Sequence, residues 1–247
     1  MIDIRTARGE GERAVFLGNT DSGKTFLIQQ LAAPMQSVVV MDSKGDSMWD
    51  SYAARHGYLV SGDPADIRRR ARVIFRVDSR SLMDRAGWTK PGSAGHVWTD
   101  ALASCWFRSE SGVTLVIFDE ALDTLPSAGG AHPDARRIFT SGRTQGLPAW
   151  LGAQFPIYVD RRALGTAEHC FSFAQPMPEY RELIRQRRGV PADLLADLDA
   201  KAHEFAHHRL GESEWTEFSA VSAGPKSPAP EVPAAPEPVA EAGPLGL

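Results

Sequence analysis

The chain has 247 residues, 27 Lys+Arg against 31 Asp+Glu for a net charge of −4, and 43% hydrophobic residues. A chain of this size buries roughly three quarters of its unfolded surface without a metal or disulfide staple, and its 23% charged residues and six Trp exclude collagen-like, coiled-coil and wholly disordered classes. No apolar run approaches the ~20 residues of a membrane helix, no apolar segment of a signal peptide opens the chain, and Cys105 and Cys170 read as reduced thiols in a cytoplasmic setting.

In chain order, short apolar strands are expected at residues 13–17, 37–42, 73–77, 113–119, 149–154 and 169–173. Helices are expected at 24–31, 66–72, 97–107, 134–141, 179–187 and 192–198. Several strands are continuous Val/Ile/Leu/Phe runs, as suits a parallel sheet covered on both faces. Pro133 and Pro191 precede two of the helices and Gly189 follows one, the positions caps prefer. Residues 205–209 and 214–220 flank Gly211 and read as a closing hairpin. The alternation predicts an α/β sandwich with ligands at the carboxyl ends of its strands. Residues 1–222 form the expected domain. Residues 223–247 read as a disordered tail, with seven Pro and no aromatic residue from Gly224 onward.

The strongest motif is Gly18-Asn19-Thr20-Asp21-Ser22-Gly23-Lys24-Thr25, between a strand and a helix. Its backbone would curl so that successive N–H groups face phosphate oxygens at a helix N-terminus. Lys24 would reach the β- and γ-phosphates of ATP, and the Thr25 hydroxyl would ligate Mg²⁺. The strand 114–118 ends in Asp119-Glu120. An acidic pair there needs compensation; Asp119 fits the acid that anchors Mg²⁺ and Glu120 the base that polarises attacking water. Read alone, Asp119 would serve as a helix cap. A third strand ends in Gln154, beside Phe155-Pro156, where its amide would sense the γ-phosphate; the plainer role is an amide satisfied by its loop.

These motifs, with Val38 to Asp46 as the second strand and its loop, resemble the FtsK/HerA superfamily of DNA-pumping ATPases. The stretch Arg143…Gly146…Gln154-Phe155-Pro156 is similar to that family's R-x-x-G…A-T-Q-x-P block, with Gly152-Ala153-Gln154 in place of Ala-Thr-Gln. Length and architecture are most like the viral branch, the genome-packaging ATPases of icosahedral phages with internal membranes. The resemblance implies a three-layer αβα P-loop NTPase of RecA/ASCE type with a mainly parallel sheet. It also implies a pentameric or hexameric ring around double-stranded DNA, at work in the host cytoplasm or at a virion packaging vertex beside a capsid or membrane protein. In that family an arginine from one subunit completes its neighbour's site. Arg143 is the candidate, with Arg136, Arg137, Arg161 and Arg162 as competitors. A plasmid or conjugative DNA pump is the alternative, and a nucleoside or nucleotide kinase a more distant one that leaves Asp119, Glu120 and Gln154 without roles.

Other features carry less. Arg68, Arg69, Arg70 and Arg72 form one basic cluster, and Arg185, Arg187 and Arg188 another. Either would touch phosphates, with a solvated face as the default reading. Lys44-Gly45-Asp46 would face the pore. His203, His207 and His208 lack an acidic or cysteine partner at metal-ligand spacing, and strand alternation puts His207 and His208 on opposite faces.

Overall fold

Seven short apolar segments pair in parallel, and two more close the sheet antiparallel. The computed structural model describes residues 4, 11–124, 130–212 and 215–218. The proposed tail, residues 223–247, lies outside them, as does part of the second hairpin strand. In chain order the elements are β1 (Ala14–Leu17), α1 (Lys24–Ala32), β2 (Val38–Asp42), α2 (Ser47–His56), β3 (Leu59–Ser61), α3 (Pro64–Arg69), β4 (Arg72–Arg76) and α4 (Ser79–Met83). There follow α5 (Ala94–Ser109), β5 (Leu115–Phe118), α6 (Ala121–Thr124), α7 (Pro133–Ser141), β6 (Ala149–Ala153) and α8 (Arg161–Thr166). The last are β7 (His169–Phe173), α9 (Pro178–Arg188), α10 (Ala192–Asp197), β8 (Phe205–Arg209) and β9 (Thr216–Phe218).

The strand order is β3-β4-β2-β5-β6-β1-β7-β8-β9. Alternate residues feed two cores. Val15, Val39, Phe75, Val116 and Leu151 pack beneath α3, α5, α7, α8, α9 and α10. Phe16, Val40, Ile74, Ile117 and Trp150 pack beneath α1 and α2. Both faces are apolar, which is why the strands read as unbroken hydrophobic runs. Phe16 stacks on Phe171 at 4.6 Å between ring centres, locking β1 to β7.

The consequential feature is the place of β6. It pairs with β1 on one side and β5 on the other, so three loops leave neighbouring strands at one edge. Gly152 allows this close approach: a Cβ there would stand 2.6 Å from the Asp119 carbonyl oxygen. The small residue that departs from the family block therefore sits where no side chain fits.

The expected α/β sandwich, its parallel sheet and its C-terminal hairpin are present. Most element ends shift by one to three residues, as in the helix expected at 97–107, which runs Ala94–Ser109. The shift that matters is that the helix expected at 66–72 stops at Arg69, and Arg72 opens β4 beside Val38. Arg70 is extended, at φ −117° and ψ 135°. The arginines favour a helix intrinsically, but pairing of Val73 to Phe75 with β2 takes the chain first. The short edge strand β3 and the polar helices α2, α4 and α8 carry too weak a period to be read beforehand.

Candidate nucleotide site

The first turn of α1 is left open. Asp46, Asp63, Ser93 and Asp160 cap α2, α3, α5 and α8 by accepting from backbone amides. Gly23, at the head of α1, offers no side-chain cap. Unsatisfied amides at a helix start carry partial positive charge and suit an anion. The loop that leads there is bent: Gly23 has φ 98° and Asp21 φ 60°, both left-handed.

Lys24 closes the loop on itself. Its Nζ donates to the carbonyls of Gly18 at 2.7 Å and Asn19 at 2.6 Å, and approaches Ser22 Oγ at 3.5 Å. The residue is 8% exposed, and burial pulls its pKa down to about 8, with the Glu120 charge acting the other way. An ammonium held only by neutral carbonyls in a buried loop is poised for an anion.

Asp119 and Glu120, 6% and 5% exposed, follow β5. Burial pushes the Asp119 carboxyl up to about 6. Neither nearby lysine neutralises it directly, since Lys24 goes to carbonyls and Lys44 Nζ to Glu120 Oε2 at 2.7 Å. Glu120, and not Asp119, reaches the start of α6: its Oε1 accepts from the Leu122 amide at 3.3 Å. Gln154, beyond β6, lies between the loop and the acids, and its Oε1 accepts from Thr20 Oγ1 at 3.2 Å.

A cavity of about 310 Å³ joins these parts, walled among others by Lys24, Thr25, Lys44, Asp119, Gln154 and His203. The hydroxyl and buried carboxylate supplied by Thr25 and Asp119 are the hard oxygen donors that a magnesium ion takes. A second cavity of about 560 Å³ adjoins the outer side of the loop, along Asn19 to Ser22. Apolar Ala174, Pro176, Leu195 and Leu198 line it with Gln175. Gln175 is 1% exposed, and neither atom of its amide has a partner among the described residues.

Lys44 and His203 were not anticipated at this site. Lys44 follows β2, the neighbour of β5, and the carboxylate of Asp42 aims its loop: Oδ1 accepts from the amides of Lys44, Gly45 and Asp46, while Oδ2 pairs with Arg76 at 2.7 Å. The Asp42-Ser43-Lys44-Gly45 spelling was the available signal. His203, at φ 54°, packs against Gly23, and nothing in the sequence around it signals that.

Arg143 stands elsewhere. It follows α7 and pairs with Glu168 at 2.7 Å, as does Arg13. Burial would raise the Glu168 carboxyl, but the bonds and charge of Arg13 together outweigh it and hold it low. Arg13 and Glu168 precede β1 and β7, so Arg143 lies at the amino edge of the sheet, about one strand, roughly 15 Å, from its own phosphate loop. Arg136 pairs with Asp160 at 3.0 Å and Arg137 lies 4.9 Å over the Trp106 ring. Arg161 and Arg162 are exposed at the start of α8. In the second basic cluster, Arg185 forks onto Glu182, while Arg188 is buried against the Ala167 carbonyl at 2.7 Å. Both cysteines are buried free thiols.

No family model matches the sequence, and no curated protein matches it. Solved structures do. The genome packaging NTPase B204 of Sulfolobus turreted icosahedral virus 2, in complex with AMPPCP, is 16% identical at a TM-score of 0.66 over 85% of this chain and 98% of that one. B204 of Sulfolobus Turreted Icosahedral Virus, a DNA-packaging ATPase, is 18% identical at 0.65 over 85% and 98%. VirB4 of Thermoanaerobacter pseudethanolicus is 11% identical at 0.60 over 91% and 94%. The chain has the P-loop NTPase fold. The likeness to these structures, over 85% or more of this chain, is one of fold.

Proposed function

We propose that this P-loop NTPase hydrolyses ATP to move double-stranded DNA, packaging a viral genome into a preformed shell. The observation that carries the nucleotide half is the convergence of Lys24, Asp119 and Gln154 on one cavity at the open head of α1. The DNA half rests on the resemblance of the motifs and on the likeness to B204.

In this reading the amides of residues 19–25 and Lys24 hold the phosphates, and Lys24 exchanges its carbonyl partners for phosphate oxygens. Thr25 and Asp119 hold the magnesium ion, which when bound neutralises charge on the phosphates. Glu120 takes a proton from the attacking water once Lys44 leaves it for the γ-phosphate. Gln154 reports the γ-phosphate to the loop through Thr20. The base lies in the adjoining cavity, where the unpartnered Gln175 amide offers both a donor and an acceptor. Arg143 serves a neighbouring subunit: it sits too far from its own loop, and a guanidinium fork brought from outside suits charge gathering on the γ-phosphate. That role requires a ring, with a capsid or membrane vertex protein as its dock and the host cytoplasm or virion vertex as its place.

Phosphate release measured with and without long duplex DNA tests the reading. Stimulation by DNA supports the motor; transfer of phosphate to a nucleoside would replace it with a kinase. The resemblance carried by the motifs leaves one second reading, a conjugative or plasmid DNA pump, which duplex DNA would stimulate without any capsid. No helix among the described residues is long and apolar enough to cross a membrane.

A further inference from the structure

The run Arg68, Arg69, Arg70, Arg72 does not act as one cluster. Arg72 is consumed by the fold: its guanidinium donates to the carbonyls of His56 at 3.0 Å and Met35 at 2.9 Å and lies over the Tyr58 ring. The other three line a pocket of about 370 Å³ with Gln36, Ser37 and Arg108. Ser37, Ala71 and Thr114 immediately precede β2, β4 and β5, three adjacent strands. The pocket therefore lies beneath their amino ends, about one strand length, roughly 15 Å, from the edge where the nucleotide cavity opens.

Arg108 forms its floor. It is 8% exposed, and its Nη2 donates to Ser37 Oγ and to the Ala71 carbonyl at 2.8 Å. Its Nη1 is buried without a partner among the described residues. Burial works against its charge, and none of the residues lining the pocket is acidic. A buried guanidinium without a carboxylate is costly unless an anion joins it. Arg68 is fixed at the wall, with Nε 2.9 Å from Ser104 Oγ and its guanidinium 5.5 Å from the centre of the Phe107 ring. Arg69 and Arg70 are exposed at the mouth.

Four guanidinium groups around one concavity call for an anion with acceptors on several sides. A carboxylate fills one fork; a phosphate group presents oxygens to several. We propose that this pocket binds a backbone phosphate of double-stranded DNA, as a grip at the edge of the sheet opposite the ATP site. The choice of DNA as the phosphate's source rests on the motor reading above, whereas the anion site itself rests on the arginines.

The test compares the intact chain with Arg69→Glu/Arg70→Glu and Arg69→Lys/Arg70→Lys, using labelled duplex DNA across a salt series. Melting temperature checks that each variant is folded. The glutamate pair should weaken duplex binding roughly tenfold or more and reduce the slope of log affinity against log salt by about 1, since the one phosphate contact of the pocket is lost. The lysine pair, which keeps the charges, should stay within a few fold of the parent and hold the slope. Unchanged duplex affinity in the glutamate pair would overturn the site while leaving the DNA motor standing. If the parent hydrolyses ATP yet binds no duplex at any salt, the motor reading falls and the assignment to DNA with it. A small-anion site is tested in the Lys24→Ala background, where the phosphate loop has lost its cation. A pyrophosphate-induced rise in melting temperature there, abolished by the glutamate pair while duplex binding is untouched, would overturn DNA as the ligand.

Discussion

The two edges of the sheet hold similar charges under opposite conditions. At the carboxyl edge, Lys24 is held by carbonyls, Asp119 has no direct cation among the described residues, and Lys44 with Glu120 forms a pair that a nucleotide would part on the proposed reading. At the amino ends of β1 and β7, charges are tied off within the chain: Glu168 holds both Arg13 and Arg143, and Glu12 accepts from His169 at 3.0 Å and Arg209 at 2.5 Å. A buried charge held only by weak partners is free to respond to a ligand, and one in a closed network is fixed in place. On the proposed reading, chemistry belongs to the carboxyl edge, and the amino edge serves shape and the presentation of Arg143, Arg69 and Arg70.

The largest effect tests the carboxyl edge. Lys24→Ala should leave no measurable phosphate release, because the loop's own cation is gone while its carbonyls remain. Turnover at the parent rate would mean that the cavity is not the ATP site. Next comes Arg143→Ala, which on the intersubunit reading loses about 10³–10⁵ in rate. Mixing it with Glu120→Gln should restore some turnover, since mixed rings contain interfaces with both groups intact. An Arg143→Ala protein of undiminished rate would make the amino edge purely structural. Glu120→Gln follows, with hydrolysis down by about 10²–10⁴ and ATP still bound. Binding of a fluorescent nucleotide separates that outcome from misfolding.

What could be read from the sequence follows the same division. The carboxyl edge announces itself because phosphate binding demands a fixed local spelling: residues 18–25 are contiguous, and Asp119, Glu120 and Gln154 each end an apolar run. All of them fall at one edge. Lys44 and His203 escaped because their role arises from strand order, β2 beside β5 and the chain before β8 against Gly23, and not from spacing. At the amino edge, a run of four arginines looks uniform in sequence. Only packing divides it, turning Arg72 to carbonyls and Arg69 and Arg70 to the pocket mouth. The absence of a side chain at residue 152 looked like a mere departure from a motif until the Asp119 carbonyl was seen against it.

That close approach supplies the next prediction. Gly152→Ala must push the backbone of β6 from the end of β5, since a carbonyl cannot swing aside as a flexible side chain does. Overpacking of this kind costs about 1–3 kcal/mol. Because the displaced carbonyl belongs to Asp119, turnover should fall along with the melting temperature. A variant with both unchanged would show that the three loops tolerate a wider edge.

The smallest effect belongs to the amino edge and reads its closed network by pH. His207 Nε2 lies 2.9 Å from His169 Nδ1, and His169 Nε2 lies 3.0 Å from Glu12 Oε2. Burial first, and then the neighbouring His169, His208, Arg188 and Arg209, pull the His207 pKa down to about 4 from its ordinary 6.5. Between those values the unfolded chain takes up a proton that the folded chain refuses. Stability must then fall as pH drops from about 6.5 toward 4 and level off below, with the full contribution present only above 6.5. For a partly solvated group this amounts to about 1–2 kcal/mol. His207→Gln keeps a neutral polar group on His169 but removes the titration, so its melting temperature should fall less steeply than the parent's across that window. The difference between the two curves isolates His207 from His56, His132 and His208, whose pKa values burial also lowers. Parallel curves would show that His207 takes its proton as readily folded as unfolded, and the amino edge would then be as responsive as the carboxyl edge.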